Sequence, residues 1–347
     1  MHTKSFLKAS LLAAFLVIAF IASWELYLRS KGYSLSYDDG DALWADKRSR
    51  AYEPSDKATV FIGSSRNKFD LDIPTWEKLT GEDAVQLAIE GESPTPILND
   101  LANDKNFKGK LVVDVTEGLF FTRDPGNLAT PKKYIKFYKD ETPSQKASFQ
   151  VNHALESKFV FLDKNYFSLN GLLHGLHIPD RPGIYSGPDF PWEFSKKTFD
   201  RQSMMDPRFV KEPALQKKVQ GIWTAFAKMD REKPPVGKQL DSLLFVVKTD
   251  VDKIKARGGQ VLFVRTPSSG PYLAAEKKAF PRNQYWEKIL EVTNCPGIHF
   301  EDYDATSHFV CPEWSHLSPE EAKVWTKNLV QAMQEKGWKF SRQTSSL

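Results

Sequence analysis

Two short stretches, far apart in the chain, hold the side chains best suited to covalent chemistry. The first is Val60-Phe61-Ile62-Gly63-Ser64-Ser65-Arg66, an apolar run that ends in a glycine and two serines. A serine on a tight turn after a strand exposes its hydroxyl and lies beside backbone N–H groups able to stabilise an oxyanion. Taken alone, Gly-Ser-Ser also reads as a helix cap or a phosphate-cradling turn. The second is Glu313-Trp314-Ser315-His316-Leu317-Ser318, with a carboxylate three residues before a histidine. A general base needs its second ring nitrogen held by an acceptor, which sets tautomer and orientation. Glu313 can do this for His316 without a separate loop. By itself, Glu-x-x-His equally suits a pair of metal ligands or a surface coincidence. Together the stretches supply a serine, a histidine and a carboxylate, the set that acyl transfer through a covalent intermediate uses.

Two arginines lie close to these residues in sequence or in expected position. Arg66 follows the serine, and Arg265 opens Arg265-Thr266-Pro267-Ser268-Ser269-Gly270-Pro271-Tyr272 after another apolar run. A guanidinium there can bind an anionic substrate group in bidentate fashion, or fix its own loop through a salt bridge. His174 and His177 in Leu173-His174-Gly175-Leu176-His177 are spaced for a metal, but no third ligand accompanies them. They read as surface or packing histidines, and no metal site is expected. The sequence has neither a phosphate-binding glycine loop nor a dinucleotide fingerprint, so no cofactor is expected.

The elements that must position this chemistry are legible as runs. Residues 58–63, 84–89, 110–115 and 260–264 are short, apolar and rich in β-branched side chains, and 297–300 is a weaker fifth. Helical patterns begin at Pro94–Leu101 and continue with Leu240–Ala256, stopped by Gly258-Gly259, and with Pro319–Lys336. Ser318-Pro319-Glu320-Glu321 starts the last of these, with a Ser cap, proline at the first position and Glu three residues after the cap. Continuous apolar strands alternating with helices predict an α/β fold, a parallel sheet of about five strands covered on both faces. Ligands bind such sheets at the carboxyl ends of the strands, where Ser65 and Arg265 fall. Residues 121–238 break the rhythm, being rich in aromatics, proline and lysine, as in Pro188-Asp189-Phe190-Pro191-Trp192-Glu193-Phe194. They read as one long, partly helical insertion after strand 3, serving as a lid, an acceptor-binding subdomain or a packing appendage. Residues 32–57 read as a linker, leaving 58–340 as the main domain.

The paired motifs resemble the SGNH (GDSL-like) hydrolase superfamily, whose first block is a post-strand Gly-x-Ser and whose last block is Asp-x-x-His. Gly63-Ser64-Ser65 matches the first, and Glu313 to His316 matches the last with Glu in place of Asp. The chain looks closest to membrane-anchored members similar to the D-alanyl transfer protein of teichoic acid modification, which also carry one membrane helix and a Gly-Ser-Ser motif. The core resemblance spans roughly residues 55–125 and 240–340. It implies a three-layer flavodoxin-like fold in which Ser65 attacks an acyl carbonyl, His316 takes its proton and Glu313 orients His316. It also implies three oxyanion donors: the Ser65 N–H, a glycine N–H after strand 2, which Gly91 fits, and an asparagine after strand 3. That asparagine is missing from Asp114-Val115-Thr116-Glu117-Gly118, which leaves Thr116 as the substitute. One lost donor costs about 10²–10³ in rate, which favours transfer to a specific acceptor over free hydrolysis.

The rest of the sequence bounds the setting. A chain of 347 residues suits one large domain with an insertion, and +4 from 48 basic and 44 acidic residues, without a dense basic stripe, argues against nucleic acid. Lys4 and Lys8 precede an apolar stretch from about Phe6 to Leu28, long enough for a bilayer, which needs roughly 20 residues. Trp24 and Tyr27 then fall where an interfacial aromatic belt would lie. Residues 1–31 therefore predict a single-pass anchor in a bacterial inner membrane with the main domain periplasmic; a cleaved signal peptide is the competing reading, though no clean cleavage site follows. In such an oxidising compartment Cys295 and Cys311 are expected to form a disulfide closing a short loop before His316. The expected function is a periplasm-facing O-acyltransferase or acyl shuttle. Its partners would be a cell-envelope polysaccharide or similar hydroxyl acceptor and, as acyl donor, a multi-spanning membrane O-acyltransferase. A carbohydrate O-acetyl esterase and a non-catalytic glycan-binding module are the alternatives.

Overall fold

A computed structural model describes residues 2–174, 176, 188–229 and 232–342. Its centre is a five-stranded parallel sheet built from β1 (Ala58–Ile62), β2 (Asp83–Gln86), β3 (Lys110–Asp114), β6 (Gln260–Arg265) and β7 (Gly297–His299). The order is β2-β1-β3-β6-β7, so the chain steps outward in both directions from β1. A two-stranded ribbon, β4 (Lys196–Lys197) and β5 (Ser203–Met204), completes the set of strands among the described residues. The four clearest apolar runs and the weaker fifth are thus the strands of one α/β sheet.

The sheet is apolar on both faces because alternate residues of each strand enter different clusters. Val60, Ile62, Leu111, Val113, Val261 and Phe263 pack with Leu98 and Leu101 of the helix Thr95–Asn103 and with Leu244, Val251 and Ile254 of the helix Lys238–Ala256. Phe61, Val112, Leu262 and Val264 pack instead with Trp76 of the helix Ile73–Thr80 and with Trp325, Leu329 and Met333 of the helix Pro319–Glu335. That last helix starts at Ser318 with a complete capping box through Glu321, as its sequence predicts.

Between β1 and its helix, Gly63 is required. A Cβ there would lie 2.7 Å from the Cβ of Asp114 on the neighbouring strand, so no larger residue lets the chain turn at that point.

By contact the chain divides into two compact units. One comprises residues 39–142 and 190–347, which include the sheet; the other comprises residues 1–38 and 143–189. The stretch 121–238 is therefore not one body: its flanks pack with the sheet and its middle, 143–189, belongs with the N-terminal helix. That helix, His2–Ser30, contains a 26-residue span, Ser5–Ser30, long and apolar enough to cross a membrane.

Two expectations need correction. Residues 32–57 are not a simple linker: Asp41–Ser49 is a helix with Trp44 fully buried, its indole N–H donating to the Leu87 carbonyl at 2.9 Å. Arg48 of the same helix is buried between Asp100 and Asp104, at 3.0 and 2.8 Å. One large ring and one paired charge secure a nine-residue helix that has little amphipathic pattern to announce it. Cys295 and Cys311 are not joined; both are buried free thiols, and they belong to different hydrophobic clusters. Nearness in sequence did not bring them together, because β7 and its following loop carry Cys311 to the other face of the sheet.

Candidate active site

Ser65 is the first residue of the helix Ser65–Asp70, which starts directly at the carboxyl end of β1. Asn67 ties this helix down, donating to the Ile62 carbonyl at 3.1 Å and accepting from the Gln86 side chain at 3.2 Å. In the run from Phe61 to Asp70, Ser65 alone is partly exposed. The turn thus presents one hydroxyl and buries its neighbours.

His316 Nε2 lies 2.8 Å from Ser65 Oγ, and His316 Nδ1 lies 2.8 Å from Glu313 Oε1. The same Glu313 oxygen accepts the backbone N–H of His316 at 2.7 Å. A carboxylate at Nδ1 assigns the proton to that nitrogen and leaves Nε2 to accept from the serine. Between Glu313 and His316, Trp314 adopts φ +78°, a left-handed conformation uncommon outside glycine. Glu313 and His316 are almost fully buried, so their interaction is sheltered from water.

Neighbouring rings confine the imidazole: Phe69 at 4.4 Å, Phe194 at 5.8 Å and Trp223 at 6.0 Å between centroids. Trp223, on the helix Pro213–Met229, donates its indole N–H to the second oxygen of Glu313. From the same helix Gln220 donates to the Pro312 carbonyl at 3.0 Å. Both carboxylate oxygens are thereby used, one by His316 and one by Trp223. Replacing Trp223 by Phe keeps the ring and removes the donor. A hydrogen bond to a charged group contributes about 1.5–3 kcal/mol, so Trp223→Phe should lower turnover roughly 10- to 100-fold with substrate affinity little changed. A loss confined to KM would show that Trp223 serves substrate binding instead.

Arg66 and Arg265 meet over a shared carboxylate. Arg66 reaches Glu276 Oε1 at 2.5 Å, and Arg265 reaches Glu276 Oε2 at 2.7 Å and Glu117 Oε1 at 2.8 Å. Burial would lower both guanidinium pKa values, but Glu276 and Glu117 reverse this and hold them above their ordinary value. The same two arginines overcome burial at Glu276 and keep its carboxyl below the usual range. Of the two roles open to these arginines, the salt bridge that fixes a loop is the one present. Arg66 also donates to Ser315 Oγ at 3.3 Å, which links the network to the histidine loop.

The oxyanion candidates differ in their state. Gly91 sits in the loop after β2 with φ +71° and an exposed backbone, its carbonyl accepting from the Asn127 side chain at 2.8 Å. The Thr116 hydroxyl is already occupied: it donates to Asp114 Oδ2 at 3.1 Å and lies 2.8 Å from Ser64 Oγ. As placed, it has no proton to spare for a substrate oxygen. His177 lies outside the described residues, as does the side chain of His174; among the described residues no group of three or more potential ligands could hold a metal.

Some neighbours of the site were not foreseen. Lys197 of β4 lies over the Phe69 ring at 5.6 Å and pairs with Glu90. Burial, partly opposed by Glu90, lowers its pKa to about 8. Asp70, at the end of the serine's helix, accepts the Leu317 N–H at 2.9 Å through Oδ1, while its buried Oδ2 has no hydrogen-bond partner. Burial pushes its pKa well above 3.8. The unfolded chain therefore ionises this carboxyl at lower pH than the folded one. Between those two values stability should fall as pH rises, by at most about 1.4 kcal/mol per unit. Asp70→Asn keeps the acceptor for Leu317 and should flatten that slope in urea midpoints measured against pH; equal slopes would refute the assignment.

No protein-family model matches the chain, and no curated protein matches it.

Proposed function

We propose that the protein is a serine acyl-transfer enzyme of the SGNH type, with the sheet unit as a flavodoxin-like layered domain that carries its additional helices after strand 3. The observation that carries this reading is the hydrogen-bonded chain Ser65–His316–Glu313 at the carboxyl end of β1. In the reaction Ser65 Oγ forms a bond to an acyl carbonyl carbon while its proton passes to His316 Nε2. The tetrahedral intermediate then expels the donor's oxygen, which takes that proton from His316. A second hydroxyl, from a cell-envelope polysaccharide, enters by the same steps in reverse and leaves with the acyl group. The N–H groups of Ser65 and Gly91 serve as oxyanion donors. With the Thr116 hydroxyl held by Asp114, the hole is short of a third donor, which favours an acceptor that binds tightly over water.

The apolar helix Ser5–Ser30 supports an anchored setting; in this reading the sheet unit faces the periplasm and a multi-spanning acyltransferase supplies the acyl group. The test is labelling of the detergent-solubilised full chain by a fluorophosphonate probe. Labelling of wild type that is lost in both Ser65→Ala and His316→Ala is expected. Labelling that survives Ser65→Ala would overturn the assignment.

A further inference from the structure

The unit formed by residues 1–38 and 143–189 exposes apolar surface in an ordered pattern. Leu169, Leu172 and Leu173 follow the i, i+3, i+4 spacing of one face of the helix Leu169–His174, and Leu176 lies just beyond it. All four are 48% to 73% exposed. Water offers no reason for four leucines so close in sequence to lie exposed, and apolar patches of this kind mark interaction sites.

The anchor helix indicates what covers them. Leu172 lines one groove with Phe161 and Phe167 on its own segment and with Phe20, Ile21 and Trp24 on the helix His2–Ser30. Phe20 and Ile21 belong to the span whose most apolar window is entirely unburied, so whatever surrounds that window also reaches this groove. The segment is fastened just beyond that level. Glu25 accepts the backbone N–H groups of Val160 and Phe161 at 3.0 and 3.2 Å, and Arg29 donates to both Glu25 and the Lys158 carbonyl. Tyr33 packs edge-on against Phe167 at 5.1 Å between centroids. These contacts satisfy the one acidic residue near the end of the span and hold residues 158–167 against it.

We infer that residues 158–174 are a second membrane-seating element, with the face Leu169/Leu172/Leu173 immersed at the boundary between headgroups and acyl chains. The occupant is the lipid bilayer, because the face continues the lipid-facing surface of the anchor. This inference rests on Ser5–Ser30 spanning a membrane. An interfacial helix of this type buries its apolar side in the outer acyl region while its polar residues, here Lys164, Asn165 and Asn170, stay in water.

The test uses the full chain in vesicles of phosphatidylethanolamine and phosphatidylglycerol, spin-labelled at one introduced cysteine at a time. The two native cysteines are buried and escape a polar thiol reagent. Phe15→Cys reports the anchor, Lys105→Cys reports water, and Leu169→Cys, Leu172→Cys and Leu173→Cys report the face. The expected result is that labels on the face collide with dissolved oxygen more than with a water-soluble nickel chelate, as at Phe15 and unlike Lys105. Chelate access on the face with Phe15 still in lipid would overturn this inference alone. Shielding of the face from both reagents would overturn it in favour of a protein partner or a second copy. Chelate access at Phe15 would overturn the anchor reading and this inference together.

Discussion

Ser65→Ala and His316→Ala are each expected to reduce acyl transfer by on the order of 10⁶, and the double variant is expected to lose no more than either alone. The reason is geometric. With Ser65 Oγ and His316 Nε2 at 2.8 Å, the two groups act as one device: without the imidazole the hydroxyl keeps its proton, and without the hydroxyl the imidazole has nothing to activate. Residual activity would come from the oxyanion donors and substrate binding. Pre-steady-state transfer from a chromogenic ester, with intact-mass detection of the acyl-serine, provides the measurement. Losses that multiply in the double variant would mean that the residues act independently, and the proposed mechanism would fail.

Glu313→Gln is expected to lower turnover by about 10⁴ while leaving the fold intact. The amide has almost the same shape, but the contact to Nδ1 changes character. The carboxylate accepts at Oε1 from both the His316 backbone N–H and Nδ1, and at Oε2 from Trp223. An amide oxygen can satisfy one of these sides only. If it faces the histidine, the NH₂ group meets the Trp223 N–H, donor against donor. If it faces Trp223, the NH₂ group meets Nδ1 and forces the proton to Nε2, the tautomer unable to act as base. Activity comparable to wild type in a variant with an unchanged thermal midpoint would remove Glu313 from the mechanism. Trp223→Phe separates the two conflicts, so Glu313→Gln combined with Trp223→Phe should recover part of the loss.

The features that sequence discloses here are those encoded locally. Five apolar runs become five strands because a strand buried on both faces reads as a near-continuous apolar run. The Ser318 capping box needs only four adjacent residues, and the serine and histidine motifs each sit in a few residues at an element boundary. What stayed hidden depends on contacts distant in sequence. Nothing in the run around Trp223 announces that its indole N–H will meet Glu313, since that partner lies 90 residues further along the chain. Arg66, Arg265 and Glu276 become a network only when the sheet brings their elements together. Trp44 and Arg48 settle a short helix through Leu87, Asp100 and Asp104, partners that no window around residues 41–49 contains. The cysteines were misjudged because the chemistry of a compartment says nothing about which face of a sheet a residue occupies.

The strand order also dictates when the site comes into being. β3 pairs directly with β6, although residues 115–259 lie between them. Closing so long an intervening segment carries an entropic cost that must be met before the pairing is rewarded, which makes it a late event in folding. Ser65 lies before that closure, and Glu313 and His316 lie after it. A refolding chain should therefore regain much of its helical signal while still unable to react with an acyl donor, and competence should appear in step with the burial of Val261 and Phe263. On the proposed mechanism Ser65 is therefore inert in any partly folded chain until the sheet is whole.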